Sequence, residues 1–265
     1  MTMSVCVAGA TGWAGRAVAE AIQGAEDLTL RSAVARSAAG GDLGAAWGGA
    51  PIGVPVHGRV ADALDGIDVL VDFTSHEAVL GHVLTAIDRG VAVVIGTSGL
   101  GADDYARIAE AADGKGVGVV AAGNFSLTAA LAQAAALLVA PHLPHREIID
   151  YASDRKRDAP SGTARELAER LGAAAEAAPE AVPVAAGRPD ARGTTIAGTR
   201  VHSLRLPSFA VSTEVVFALP DERLVIRHDA GGSATPYVAG TLMAVRAARR
   251  RTGLVRGLDT LLLGR

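Results

Sequence analysis

The chain has 265 residues, 49% hydrophobic and 20% charged, with a formal net charge of −3. That profile excludes a disordered, fibrous or polyanion-binding chain, and the length favours two modest domains or one large one. One cysteine excludes a disulfide framework and a multi-thiolate metal site, and aromatic residues at 3% exclude stacking platforms for single-stranded nucleic acid.

The first 35 residues have the pattern of a βαβ unit: a short apolar strand at Ser4–Ala8, helical periodicity over Ala14–Ile22 and a second strand at Leu28–Ala35. Further apolar runs follow at Val69–Asp72, Ala92–Ile95 and Val117–Ala121, separated by amphipathic stretches at His76–Asp88 and Asp103–Ala112. Strand and helix alternate, so a doubly wound parallel sheet of the Rossmann type is expected up to about residue 125. An apolar helix over Ser126–Val139, a strand at Glu147–Tyr151 and a helix over Gly162–Gly172 come next. An Ala/Pro/Gly-rich stretch up to Gly193 is expected to be a loop. Strands at Val201–Leu206, Thr213–Ala218 and Leu224–His228 have short connections that suggest an antiparallel arrangement, and Pro236–Leu263 has the pattern of a helix. No charged-then-apolar leader or long apolar run stands out, so the cytoplasm is the expected compartment, with neither a membrane nor a nucleic acid as partner.

Gly9-Ala10-Thr11-Gly12-Trp13-Ala14-Gly15 follows a strand and opens a helix, where glycines permit a tight turn and backbone N–H groups can approach a pyrophosphate. A merely tight turn is the plainer reading. Gly9, Thr11, Gly12, Trp13 and Ala14 are the nucleotide-binding candidates in this turn. Where NAD-specific turns place an acid near the end of the second strand, Arg36 and Ser37 follow Ala35, a pair suited to a 2′-phosphate. This points to NADPH, with NADH still possible. Phe73-Thr74, Gly96-Thr97 and Gly123-Asn124-Phe125 end the later strands and would line the crevice at the carboxyl edge of the sheet.

Asp158-Ala159-Pro160-Ser161-Gly162-Thr163-Ala164 is the most informative string. Ser161, Gly162 and Thr163 would present successive N–H groups and two hydroxyls at a helix start, a site for a carboxylate; an ordinary Ser161 N-cap is the alternative. Lys156, one of only two lysines, stands two residues before Asp158 and is a candidate for substrate binding and catalysis, or part of a solvated basic run with Arg155 and Arg157.

These strings, with Asp72-Phe73-Thr74, Gly96-Thr97-Ser98-Gly99, Gly123-Asn124-Phe125-Ser126, Glu147-Ile148-Ile149-Asp150 and Val201-His202-Ser203, resemble in order and spacing the 4-hydroxy-tetrahydrodipicolinate reductase family, the dihydrodipicolinate reductases of lysine and diaminopimelate biosynthesis. The resemblance covers nearly the whole chain. It implies α/β architecture: a Rossmann domain from residues 1–125 and 236–265, and an α+β substrate and oligomerisation domain with a mixed or antiparallel sheet over 126–235. It further implies NAD(P)H as hydride donor, a small cyclic carboxylate substrate and a homotetramer. His82 stands where the family has a histidine near the cofactor, although a helix-surface histidine is the commoner case; His202 is another histidine expected near the cleft.

The chain departs from the family at three places. Two adjacent family histidines, the first a proposed proton donor, fall on Ala152 and Ser153. A Gly-Glu-His string falls on Val211-Ser212-Thr213, and an arginine that holds substrate carboxylate is replaced near Ser233. Tyr151 and Asp154 are the nearby candidates for a substitute donor, against plainer roles as a core aromatic and a solvated partner of Arg155. A lost general acid costs roughly 10²–10⁴ in rate, whereas a substrate already protonated, such as a cyclic iminium, accepts hydride without one. The expected activity is reduction of a C=N, or conjugated C=C–C=N, in an altered cyclic amino-acid-derived carboxylate. Two other readings stay open: the ordinary lysine-pathway reductase with a replaced acid, and a non-catalytic NADP(H)-binding protein. The sole cysteine, Cys6, lies inside the first strand, which disfavours an acylating aldehyde dehydrogenase.

Overall fold

A computed structural model of the protein describes residues 2–175, 186–207 and 211–264. The chain forms two compact units, Met1–Leu127 with Ala234–Arg265, and Thr128–Ser233. Its elements are β1 (Met3–Ala8), α1 (Trp13–Gln23), β2 (Leu28–Val34), α2 (Leu43–Ala46), β3 (Val56–His57), β4 (Val69–Asp72), α3 (His76–Asp88), β5 (Ala92–Ile95), α4 (Ala102–Lys115) and β6 (Gly118–Ala121). There follow α5 (Leu127–Val139), β7 (His145–Ala152), α6 (Gly162–Ala174), β8 (Thr194–Ile196), β9 (Thr199–Arg205), β10 (Val211–Leu219) and β11 (Glu222–Ala230). The chain ends in α7 (Thr235–Ala248), β12 (Gly253–Arg256) and α8 (Leu258–Leu262).

The first unit is built on a seven-stranded sheet of order β12-β6-β5-β4-β1-β2-β3, parallel throughout. β4, β5 and β6 are buried at every residue, which is why their sequences are continuous apolar runs rather than alternating ones. α3 buries Val79, Val83, Ala86 and Ile87, a single helical stripe.

The expected helix over Pro236–Leu263 is broken. After α7, β12 pairs with β6 and α8 follows. Gly253 and Gly257 adopt φ of +80° and +87°, left-handed values that side chains disfavour, and they bracket Leu254 and Val255 opposite Val119 and Val120. Four residues are too few for a strand to be told from a helix by periodicity.

The second unit contains a five-stranded sheet of order β11-β10-β7-β9-β8. It is mixed: β7 and β9 are parallel and the other pairs antiparallel. The late strands are therefore not a consecutive antiparallel set, because β7 inserts between β9 and β10, and the α6 crossover permits its parallel pairing with β9. One face of the sheet supplies Ile148, Val201, Val215 and Phe217 to a core with Leu167 and Leu171 of α6 and Ala136 of α5. Of the expected Ala/Pro/Gly-rich loop, residues 176–185 lie outside the described residues.

Candidate functional site

The nucleotide turn is shaped by close backbone approach. Gly9 has φ +82°, and a Cβ there would overlap the Phe73 carbonyl; one on Gly15 would overlap the Gly9 carbonyl. Gly12 caps α1 without any side-chain hydrogen bond, so the first-turn N–H groups of α1 have no side chain closing over them. Thr11 and Gly12 are exposed, and Trp13 is 56% exposed with its ring edge-on to Tyr237. This cradle fits a pyrophosphate. Arg36 and Ser37 are exposed on a short 3₁₀ turn directly after β2. The first carboxylate downstream, Asp42, accepts the backbone N–H groups of Gly44, Ala45, Ile52, Gly53 and Val54, which hold its carboxyl below the usual carboxylate range.

At the carboxyl edge of β4, Asp72 is fully buried and saturated. Its Oδ1 accepts the Thr74 N–H (3.0 Å), the Thr74 hydroxyl (2.7 Å) and the Thr97 hydroxyl (2.6 Å), and its Oδ2 lies 2.8 Å from His82 Nδ1. A carboxylate only accepts, so His82 donates to Asp72 from Nδ1. Thr74 and Thr97 thus use their hydroxyls to tie the β4 and β5 ends together, not to face the crevice. Phe125, expected to line the crevice, is 1% exposed and packs edge-on against Phe73, making its ring part of the core. Gly96 is small for a reason: a Cβ there would overlap the Phe73 ring. The Asn124 side chain accepts the Ser126 N–H (2.8 Å), which shapes the turn after Gly123.

In the second unit another buried carboxylate, Asp150 of β7, organises the Asp158–Ala164 string. It accepts the Ser161 N–H (2.8 Å) and hydroxyl (2.7 Å), the Ser203 hydroxyl (3.3 Å) and Arg205 Nη2 (2.8 Å). Arg205 also donates to the Asp158 carbonyl, 2.7 Å away. The Ser161 hydroxyl in turn accepts the Ala164 N–H (3.2 Å), so Ser161 is the N-cap of α6 and 2% exposed. Ser161 therefore does not offer a carboxylate its N–H and hydroxyl, as its sequence position suggests. Gly162 and Thr163 remain as first-turn residues able to do so. Lys156 pairs with Asp158 at 2.8 Å; burial pushes the Asp158 carboxyl up, but Lys156 outweighs it and holds the carboxyl below its ordinary value.

Tyr151, the first candidate substitute donor, does not face this site. Strand alternation puts Ala152, Asp150 and Thr213 on one side of the sheet and Tyr151 on the other. There Tyr151 approaches Glu214 (3.4 Å) beneath the Arg227 guanidinium, 5.0 Å from the ring centroid. Burial and Glu214 push its phenol above the ordinary value. His202 shares that far side, 2.7 Å from a Glu147 carboxylate that Arg192 also binds. Asp154 is exposed and accepts only the Ser153 hydroxyl among the described contacts. Ala152 itself is wholly buried, opposite Val211 and Arg205. Ala152→His is accordingly expected to destabilise the fold by about 1–3 kcal/mol through overpacking, seen as a lower urea midpoint, rather than simply restoring a donor.

One residue not singled out as a site from sequence does face the site: His228, on β11 directly opposite Thr213. It lines a small pocket, open to solvent, with Thr163, Gln133 and Thr213, the rest of the lining being aliphatic. His228 Nε2 lies 3.0 Å from the Thr128 hydroxyl, and burial holds its imidazole below the ordinary 6.5 against the opposing pull of Asp229. The signal was available: with period two, His228 shares a face with Ile226, which packs on the core. A lowered histidine pKa means that the unfolded chain binds more protons just below pH 6.5, so the stability His228 contributes falls from that pH downward and is constant above it. His228→Gln should flatten this fall in urea titrations between pH 5 and 7, roughly the range in which a histidine changes charge.

Two family models match, "Dihydrodipicolinate reductase, N-terminus" over residues 3–125 and "Dihydrodipicolinate reductase, C-terminus" over residues 124–262. The chain belongs to the dihydrodipicolinate reductase family. It is 38% identical to 4-hydroxy-tetrahydrodipicolinate reductase of Synechococcus elongatus, covering 97% of this chain and 98% of that one. The Moorella thermoacetica reductase of the same name is 36% identical, with 98% of each chain covered. The dipicolinate-bound dihydrodipicolinate reductase from Paenisporosarcina sp. TG-14 superposes with a TM-score of 0.77 at 26% identity, covering 98% of this chain and 99% of that one. Membership makes the chain a pyridine-nucleotide-dependent oxidoreductase of the class acting on C=N or C=C bonds. Among the described residues no His/Cys/Asp/Glu group could hold a metal, and no helix is long and apolar enough to cross a membrane.

Proposed function

We propose that the chain is an NADPH-dependent reductase delivering hydride to the C=N, or conjugated C=C–C=N, of a cyclic amino-acid-derived carboxylate other than the family's usual substrate. The observation that carries this reading is Ala152: a buried methyl stands where the family's proposed proton donor belongs, and Tyr151 faces the wrong side of the sheet to replace it. A substrate that arrives as an iminium needs no such donor.

NADPH, when bound, supplies the hydride. Gly9, Gly12 and Gly15 let the backbone approach its pyrophosphate, and Arg36 with Ser37 selects the 2′-phosphate, since Asp42 is already occupied by backbone donors. Phe73, Gly96 and the turn at Gly123-Asn124 shape the nicotinamide end, with His82 held beside it by Asp72. Lys156, Gly162 and Thr163 hold one substrate carboxylate. Nucleotide binding is assigned to residues 1–125 and 236–265 and substrate binding to 126–235. Exposed Leu204 and Val225 on the far side of the second sheet support assembly as a homotetramer.

The test is NADPH oxidation across a panel of cyclic imine carboxylates. Turnover on a member other than the condensation product of pyruvate and aspartate semialdehyde is expected, and Arg36→Ala should weaken NADPH more than NADH. Turnover on that condensation product alone would instead establish the ordinary lysine-pathway activity, the reading that identities of 36–38% over full length favour.

A further inference from the structure

The pocket beside Thr163 has a chemistry of its own. Its aliphatic lining includes Leu167, Val215 and Ile226, its polar groups are Gln133, Thr163, Thr213 and His228, and among the described residues no lysine, arginine, aspartate or glutamate lines it. It adjoins the carboxylate site along one row of the sheet. Register places Asp150, Thr213 and His228 side by side on β7, β10 and β11, and Asp150 fixes Ser161 at the start of the helix whose second residue, Thr163, opens into the pocket. A substituent that a ring anchored by its carboxylate at Gly162 and Thr163 directs into this pocket meets aliphatic side chains and neutral hydrogen-bonding groups there.

We infer that this pocket is a subsite for an uncharged, largely apolar substituent, so that the substrate is a cyclic imine monocarboxylate rather than a dicarboxylate. The inference rests on the reductase reading given above and specifies its substrate class. A second carboxylate entering the pocket would lose water and gain no cation, because the described lining carries none. An alkyl group of matching size gains by burial against Leu167, Val215 and Ile226. Thr213 and His228 offer neutral donors and acceptors for a hydroxyl at the rim.

Calorimetric titration of the full-length protein with stable aromatic mimics tests this. 6-Methylpyridine-2-carboxylate should bind at least about tenfold more tightly than pyridine-2,6-dicarboxylate, and affinity should rise from the unsubstituted pyridine-2-carboxylate through methyl to ethyl. Ile226→Phe, which fills the pocket, should remove the gain from the alkyl group while sparing the unsubstituted acid. The alkyl series on the unaltered protein carries the test should that variant fail to fold. A dicarboxylate that binds as tightly as or more tightly than the methyl compound, or a flat alkyl series, overturns the inference. Its fate is separable from that of the reductase reading: the expected binding series without NADPH oxidation on any imine keeps the subsite and rejects the activity. Turnover with dicarboxylate preference does the reverse.

Discussion

Asp150→Ala should cost about 3–5 kcal/mol in unfolding free energy and abolish measurable affinity for a carboxylate mimic in any fraction that folds. Asp150 is wholly buried and is the common acceptor for Ser161, Ser203 and Arg205. Removing it strands the Arg205 guanidinium, only 17% exposed and already holding one Nε without a partner. It also releases the N-cap that orients Gly162 and Thr163. Asp150→Asn keeps an acceptor and loses the charge, so it should fall between the wild type and the alanine variant in urea denaturation. Equal stability of the alanine variant and wild type would mean that Arg205 finds another anion and that the string is organised elsewhere.

Asp72→Ala is the corresponding experiment in the first unit. Four donors converge on this carboxylate: the Thr74 N–H and hydroxyl, the Thr97 hydroxyl and His82 Nδ1. Leaving them without their acceptor should destabilise the protein by about 3–5 kcal/mol, since each buried orphan costs roughly 1–3 kcal/mol and some relax toward water. NADPH affinity, read by fluorescence, should fall with it, because the ends of β4 and β5 and the orientation of the His82 ring are set by the same group. Thr74→Val removes only one hydroxyl and should cost about 1 kcal/mol. Loss of NADPH binding with unchanged stability would recast Asp72 as a direct ligand of the nucleotide.

The two carboxylates show where reading a sequence succeeds and where it stops. Asp72 and Asp150 both sit within strings legible at once, Asp72-Phe73-Thr74 and Glu147-Ile148-Ile149-Asp150, yet nothing local says that each is the hub for hydroxyls drawn from several elements. Thr97 reaches Asp72 across 25 positions and Arg205 reaches Asp150 across 55. Ser161 and Thr97 were legible as site residues because of their motifs, but the direction in which their hydroxyls point depends on partners far along the chain.

Glycine-dependent features were the most secure, because a glycine at a tight turn reports a local constraint: no Cβ fits at Gly9 or Gly15 whatever surrounds the turn. Helices with a clear apolar stripe were equally visible, α3 being expected and found at His76–Asp88. β12 was not, since four residues between two glycines carry no period and acquire a strand's hydrogen bonds only from β6.

From sequence alone came the α/β alternation, the nucleotide turn and the family, all of which depend on residue identity and short-range spacing. The tertiary structure decided which side of the second sheet each candidate faces. It turned Tyr151 and His202 away from Asp150 and brought His228 beside Thr213 and Thr163. The reason is that strand register is set by pairing with distant strands, and a shift of one residue exchanges the two faces.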